Sequence, residues 1–430
     1  MGTRSNIHFV LIFLTSTSVF AASPAQPESS RVNAPGAEVN ELLILARERN
    51  PELASMRQAA DAVADRINSS SALPDPVFRI QLQDFTNNAS GTATTLAPSG
   101  VGSTFYRVMQ PLPFWGKRDL KRDISLAETT EAQGRTSISW SELAAKIKID
   151  FSKYYLVAKG QQLTQEMLAL TLNLENIAKS RYSTGLAPQQ DVIRAQVEQT
   201  SLRRDLVMLE TERHHSMSRM NTLLLREPYA ALAEPQYLRP IPPRAKLEFA
   251  VLAERLREHN PMLFTLQAQI DAADKGRELA YKNRYPDFAV GLGTTQMGND
   301  IKSWELMVEF NIPLQQGSRR GAEREAENML AAARSRKYSA DSQLAGELAE
   351  YSTALDAALQ VESITTNSLL PQSEATLQAA YVGYQNGKVD FTTLLDAQRQ
   401  ILKAKLDMLN AQAQAQASLA QIEKLLGEEL

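Results

Sequence analysis

Two periodicities divide the chain. Phe78, Ile80 and Leu82 alternate with Arg79 and Gln81, and Trp304, Leu306, Val308, Phe310 and Ile312 alternate with Glu305, Met307, Glu309 and Asn311. Thr104, Tyr106 and Val108, then Phe288, Val290 and Leu292, give two shorter alternations. A period of two over about ten residues spells strand. Strands are predicted near 76–86, 102–112, 286–296 and 302–313, with a polar loop at 87–101 and a tight turn at Gly298-Asn299-Asp300. An apolar face backed by a polar one suits a barrel wall in lipid, and also a small soluble sheet.

Most of the remainder reads as long helix. Residues 119–181 hold no proline and only Gly134 and Gly160, which predicts roughly 95 Å of helix. Residues 318–385 match it in length, with a kink predicted at Pro371. Helices of this length point to coiled-coil packing. The return helices carry the seam: Val192, Ala195, Gln199, Leu202, Leu206 and Leu209 follow a 3-4 spacing, as do Leu394, Ala397, Ile401, Ala404, Met408 and Ala411. Each return helix covers only about half the outgoing length. A continuous N-terminal helix at about 38–71, and its counterpart at 248–281, are expected to stack end to end with the return helices.

The order of elements occurs twice. Arg47-Glu48-Arg49-Asn50-Pro51 returns as Arg257-Glu258-His259-Asn260-Pro261, and Tyr182-x-x-Gly185 returns as Tyr384-x-x-Gly387. Leu112-Pro113-x-x-Gly116-x-Arg118 returns as Ile312-Pro313-x-x-x-Gly317-x-Arg319. A repeat of about 200 residues is a whole structural half rather than a solenoid unit. The division is therefore a first repeat at 38–227, a Pro-rich linker at 228–246 and a second repeat at 247–430. Pro113 with Gly116, and Pro313 with Gly317, sit where strand must become helix: proline ends the ladder and glycine permits the turn. Gly185 and Gly387 reverse the helical hairpins.

Composition narrows the compartment and the chemistry. Arg4, the apolar run Phe9–Leu14 and small residues through Ala22 form a signal-peptide pattern over 1–22. Residues 23–37, with Pro24, Pro27 and Pro35, read as a disordered lead-in. The chain has no cysteine, which removes disulfides, thiolate chemistry and a lipid anchor on cysteine. A net charge of −3 gives no reason to expect a nucleic-acid partner. His214 and His215 are adjacent, so on a helix they diverge by about 100° and cannot chelate as an i, i+4 pair would. With no phosphate loop, no metal-spaced histidines and no Ser-His-Asp context, neither an enzyme nor a cofactor is expected. Four strands cannot close a barrel in lipid, where an open edge leaves backbone groups unpaired. Strands in a membrane would force several chains to share one barrel, and three would supply twelve strands.

Arg181-Tyr182-Ser183-Thr184-Gly185 followed by Asp191-Val192-Ile193-Arg194-Ala195-Gln196, and Tyr384-Gln385-Asn386-Gly387 followed by Leu395-Asp396-Ala397, resemble the TolC-like outer-membrane efflux proteins. The resemblance covers essentially everything after the signal peptide. It implies a mainly α fold with a small β part: duplicated halves building a long α-helical barrel, plus four transmembrane β-strands per chain in a shared twelve-stranded trimeric barrel. It implies the outer membrane of a Gram-negative bacterium, a long periplasmic extension, and service as exit duct of a tripartite efflux pump or a type I secretion system. The implied partners are two further copies, outer-membrane lipid, a periplasmic adaptor and an inner-membrane transporter, the RND type among them. Gln110-Pro111-Leu112-Pro113-Phe114-Trp115-Gly116-Lys117-Arg118 resembles the metal-cation branch, with organic solutes as the alternative.

The resemblance also assigns roles. The inward-leaning hairpins 181–194 and 384–397 close the resting duct, with Asp396 as an acidic ring at the constriction. A second ring position is Thr393 here, a departure that makes the constriction less acidic. Tyr384 and Asp191 match a latch between the tips. The basic residue usual two past the glycine is Val389, with Lys388 beside it, which implies a weaker latch. Arg181, Gly185, Gly387 and Lys388 fall at the tips, where the adaptor makes contact. A periplasmic adaptor is the competing reading, but adaptors carry one hairpin flanked by Gly-rich β domains, whereas this chain has two.

Overall fold

Asparagine and proline break the helices that the sequence suggested were continuous. In the computed structural model, which describes residues 34–85 and 96–430, α1 (Val39–Arg49) stops at Asn50 and α2 (Pro51–Ser71) starts again at once. The Asn50 side chain accepts from the N–H groups of Glu52 and Leu53 at 2.9 and 3.1 Å, and Pro51 needs no donor at the first helical position. The second half repeats the device: Asn260 separates α6 (Phe249–His259) from α7 (Pro261–Lys282) and caps Leu263 N–H at 2.8 Å. The repeated Arg-Glu-x-Asn-Pro motif is thus a helix joint, and the expected single helices over 38–71 and 248–281 are each two.

The long helices are α3 (Lys117–Ser183) and α8 (Gln316–Ile364), the latter prolonged through a π-helical turn at Thr365–Leu369 into α9 (Leu370–Gln385). The π turn lies immediately before Pro371, where a kink was expected, because proline cannot donate to the ladder one turn back. At 67 residues α3 spans about 100 Å. The return helices are α4 (Gln189–Leu223) and α10 (Phe391–Leu426), and α5 (Arg244–Leu247) is a short turn in the linker. Packing follows the expected end-to-end scheme. Helix α3 carries α2 and α7 along one part of its length and α4 and α10 along the other, while α8 carries α7 and then α10.

Each half has a waist built the same way. Leu42 and Ala46 of α1 pack on Ile147 and Phe151 of α3 and Met220 of α4. Leu252 and Leu256 of α6 pack on Leu348 and Leu355 of α8 and Ile422 and Leu425 of α10. Small residues let α10 come close, with Ala411, Ala413 and Ala415 all buried. The expected disorder up to residue 37 does not hold at its end. Pro35 and Ala37 carbonyls accept from Ala233 and Gln236 N–H of the linker, at 3.0 and 3.3 Å. The signal peptide, residues 23–33 and part of the 87–101 loop lie outside the described residues.

A buried charge cluster joins the two halves at the waist. Lys148 of α3, 4% exposed, donates to Glu423 of α10 at 2.9 Å and to Glu429 at 2.8 Å. Arg239 of the linker grips Glu423 with two bonds of 3.0 and 3.1 Å. Burial alone would raise the Glu423 carboxyl, but Arg239 and Lys148 outweigh it and hold the carboxyl below its usual value.

The strands form one antiparallel meander, β1 (Val77–Gln83), β2 (Ser103–Leu112), β3 (Phe288–Met297) and β4 (Asp300–Phe310), in that spatial order. The two halves meet at the β2–β3 pair. Register sorts the faces. Phe78, Val108, Leu292 and Leu306 form one cross-strand row, all exposed and apolar. The next row is Arg79, Arg107, Gly293 and Glu305, with Arg107 and Glu305 3.6 Å apart across the glycine. The outer edges of β1 and β4 carry no partner strand among the described residues. Among the described residues no helix is long and apolar enough to cross a membrane.

Two expectations follow. Val308, two residues past Leu306 and paired with Val290, lies on the same exposed apolar face. Val308→Arg places a charge there, at a cost of about 2–4 kcal/mol near the bilayer midplane, and should deplete assembled protein in outer-membrane fractions far more than Glu309→Arg does. Equal depletion would contradict the face assignment. Glu423→Gln leaves Lys148 and Arg239 buried against a neutral amide, and should cost about 3–5 kcal/mol in heat or denaturant unfolding. Because the folded carboxyl lies below its ordinary 4.5, its stabilisation is present above that value and fades as pH falls through the lowered one. The gap between wild type and Glu423→Gln should therefore close in acid.

Candidate functional site at the hairpin tips

The tips are paired Schellman motifs. At the first, Gly185 N–H bonds to Tyr182 O at 3.0 Å and Leu186 N–H to Arg181 O at 2.8 Å. At the second, Gly387 N–H bonds to Tyr384 O at 3.0 Å and Lys388 N–H to Gly383 O at 2.9 Å. Both glycines adopt a positive φ, 74° and 70°, which any side chain would strain. Across the turn α10 is capped by Asp390, whose carboxylate accepts from Thr393 N–H and hydroxyl. Those bonds hold the Asp390 carboxyl below its usual range. Thr393, expected at a ring position, serves this cap.

The two tips are fastened to each other. Tyr384 is buried and its hydroxyl donates to Asp191 Oδ2 at 3.1 Å. Burial, and then the Asp191 carboxylate, push its phenol up to about 12. Phe391 packs against the same ring, with centroids 5.1 Å apart. Arg181, placed from sequence with the adaptor-contact residues, reaches across instead. Its guanidinium lies 5.1 Å over the Tyr384 ring, Nη1 donates to Gln385 O at 2.6 Å and Nη2 to Leu186 O at 3.2 Å. The cation beside the latch therefore comes from the first hairpin, while the Lys388 side chain is exposed. Arg194 adds a bond to the Thr392 hydroxyl. The apolar filling is Leu174, Ala178, Val192 and Ala195 against Ala380, Leu394 and Ala397.

Above the tips lies a ladder of polar contacts that sequence reasoning missed. Glu175 accepts from Lys179, Gln199 and Gln196, in that order of influence, and its carboxyl is held down to about 2. Gln398 donates to Met167 O at 3.3 Å and to the Thr171 hydroxyl. Arg399 binds Glu198 through Nε at 3.0 Å. Asp396, the expected ring acid, is 65% exposed and stands 3.7 Å from that same Arg399. The Glu175–Lys179 spacing of four and the Asp396–Arg399 spacing of three were the signals in the sequence; the rest join residues 21 to 231 apart.

The strand-to-helix turns differ from each other. Gly116, φ 78°, makes the first, and Phe114 stacks on Tyr285 at 4.6 Å. Lys117 is buried: it donates to Tyr285 O at 3.1 Å and to Asp287 at 2.8 Å, so it ties the halves together. The second turn is made by Pro313 and the residues after it, and Gly317 lies inside the first turn of α8 without a positive φ. The glycine-permitted turn expected there belongs to the first half alone.

A duplicated chain with a lipid-compatible sheet and two helical hairpins locked tip to tip defines the duct class of outer-membrane proteins. The outer membrane efflux protein family model matches residues 42–224 and 252–428, one stretch per half, and the chain belongs to that family. It is 22% identical over 395 residues to the cobalt-zinc-cadmium resistance protein CzcC of Cupriavidus metallidurans, covering 90% of this chain and 88% of that one. It is 20% identical over 402 residues to outer membrane protein TolC of Vibrio cholerae, covering 89% of each. Its fold superposes on the crystal structure of VceC from Vibrio cholerae with a TM-score of 0.74, at 17% identity over 91% of this chain and 96% of that one. The protein is an efflux duct of the outer membrane, and its family is one of channels rather than enzymes.

Tyr384→Phe removes a bond that contributes about 1.5–3 kcal/mol where the acceptor is a carboxylate, and should raise single-channel conductance or antibiotic leak. In the wild type this bond is intact below the ordinary tyrosine value of 10.0 and is lost as pH rises through about 12. Conductance that rises in Tyr384→Phe at neutral pH, and in wild type only at strongly alkaline pH, is the expected pair of results.

Proposed function

We propose that the protein is the trimeric exit duct of a tripartite pump that discharges divalent metal cations. The observation that carries the solute class is the whole-length similarity to a protein named for cobalt, zinc and cadmium resistance. The turn sequence Gln110–Arg118 points the same way. What supports the trimer is the four-stranded meander, whose outer strands have no further partner strand among the described residues and which three copies would close as twelve strands. A periplasmic adaptor engages the exposed tip backbone around Gly185 and Gly387, and an inner-membrane transporter of the RND type supplies the energy, since the tips hold no chemistry of their own.

Gating rests on two arrangements. The Arg181–Tyr384–Asp191 lock makes the paired hairpins of one chain a unit, so the hairpins lean inward or outward together. Threefold symmetry would gather three Asp396 carboxylates, each half-shared with an Arg399 that is already engaged by Glu198. Such a ring favours cations.

Deleting the gene should sensitise the host to zinc, cobalt or cadmium severalfold while leaving tolerance of detergents and dyes unchanged; the opposite pattern would assign organic solutes. In planar bilayers Asp396→Ala should lower cation selectivity and Arg399→Ala should raise it. Unchanged selectivity in both would put the constriction elsewhere along the helices.

A further inference from the structure

The apolar face of the sheet ends, on the helix side, in a row that the helices leave open. Leu112, Phe288 and Phe310 lie side by side in register as that last row. Trp115 leans on Phe288, ring centroids 5.0 Å apart, and is still 71% exposed. Ile312 and Leu314 continue past β4 and are exposed as well. In an outer-membrane protein whose helices stand in the periplasm, this is the level at which hydrocarbon gives way to the headgroups of the inner leaflet. A tryptophan there keeps its ring in the apolar phase and its N–H at the polar edge.

Beside Trp115 sits a lysine without a counter-ion. Lys282, the last residue of α7, is half-buried, its ammonium donates to the Trp115 carbonyl at 3.3 Å, and no ion pair among the described residues uses it. Gly116 makes the room, since a Cβ at that position would lie 2.1 Å from Lys282 Nζ. A carbonyl answers one of the three ammonium donors and none of its charge. The nearby acid is already engaged, because Asp287 accepts from Lys117 and from Phe114 N–H. The same imbalance holds around the turn. The segments where helix and sheet join, 72–76, 114–122, 282–287 and 314–324, carry nine lysines and arginines against four acids. Two of those acids are taken within the chain, Asp287 by Lys117 and Glu323 by Arg284. At the far end of the sheet, by contrast, Lys302 is matched by Asp300 at 3.0 Å.

We propose that the Trp115–Gly116 turn seats the phosphate of an anionic phospholipid of the inner leaflet, with Lys282 as its cation and the Trp115 ring against the start of its acyl chains. A zwitterionic lipid offers the same phosphate but brings its own cation into a region already in positive excess. The turn therefore prefers a headgroup of net negative charge, of which phosphatidylglycerol is the simplest. The lipid holds at headgroup level the boundary where Lys117 and Asp287 join the two halves. The site depends on the outer-membrane location, and on neither the trimer nor the solute.

Native mass spectrometry of the full-length protein, extracted in a neutral detergent and offered an equimolar mixture of phosphatidylglycerol and phosphatidylcholine, reads the preference. Wild type should retain phosphatidylglycerol severalfold over phosphatidylcholine. Lys282→Gln should cut that preference about fivefold, the weight of one basic residue at an anionic surface. Lys282→Arg, which keeps the charge, should hold it. Lys302→Gln removes the same charge at the other end of the sheet and should change nothing. Equal preference in Lys282→Gln and wild type, or an equal loss in Lys302→Gln, would overturn the site. Trp115→Ala, at an exposed position that folding tolerates, should lower retention of both lipids; unchanged retention would remove the ring from the site and overturn the placement at the turn. Millimolar inorganic phosphate should leave the lipid in place. Its displacement would make the turn a free-anion site and overturn the lipid assignment.

Discussion

A backbone amide in hydrocarbon has no water to turn to, and that constraint organises this protein. Among the described residues the meander offers four strands and two unpaired edges. A sheet of this kind persists in a bilayer only when its edges are closed by other copies. In the trimer proposed above, the helical halves would then be arranged around a common axis, because each half hangs from one strand pair. The link at the sheet–helix boundary is accordingly stiff: Lys117 and Phe114 of the first half both bind Asp287 of the second, at 2.8 Å each. Strand register above is transmitted to helix position below through that carboxylate.

The halves are then joined twice more along their length, by different physics at each level. At the waist the bond is a desolvated ion cluster, Lys148–Glu423–Arg239, whose members come from α3, α10 and the linker. Clusters of this kind specify arrangement more surely than they add net stability, since desolvation offsets much of the Coulomb gain. At the tips the bond is a buried phenol–carboxylate contact under a guanidinium.

Much of this was legible in the sequence, for a reason that also sets its limit. Local periodicity reveals local structure: the alternation of Trp304 through Phe310 gave β4, and the 3-4 spacing from Leu394 gave the buried seam of α10. Tyr384 and Asp191 were matched through the resemblance, and the structure places them in contact. What pattern could not give were contacts between residues far apart in the chain. Arg181 was placed at the tip but not across it, because nothing local says that Gln385 lies opposite. Asn50 and Asn260 were read as part of a repeat, although their capping role was available from Asn-Pro itself. Gly317 was misassigned by analogy with Gly116, since the second turn is longer and spreads its bend over Pro313 to Gln315.

The π-helical turn before Pro371 has a mechanical consequence. Helix α3 is an unbroken ladder of i to i−4 bonds for 67 residues and behaves as an elastic rod. Its counterpart has one point, Thr365–Leu369, where a spare residue is already wound in and the following proline has no bond to lose. Bending there sacrifices fewer hydrogen bonds than anywhere else along either rod. Two halves on the same plan therefore differ in compliance. Torque applied at the tips is stored as smooth curvature in one and relieved as an angle in the other.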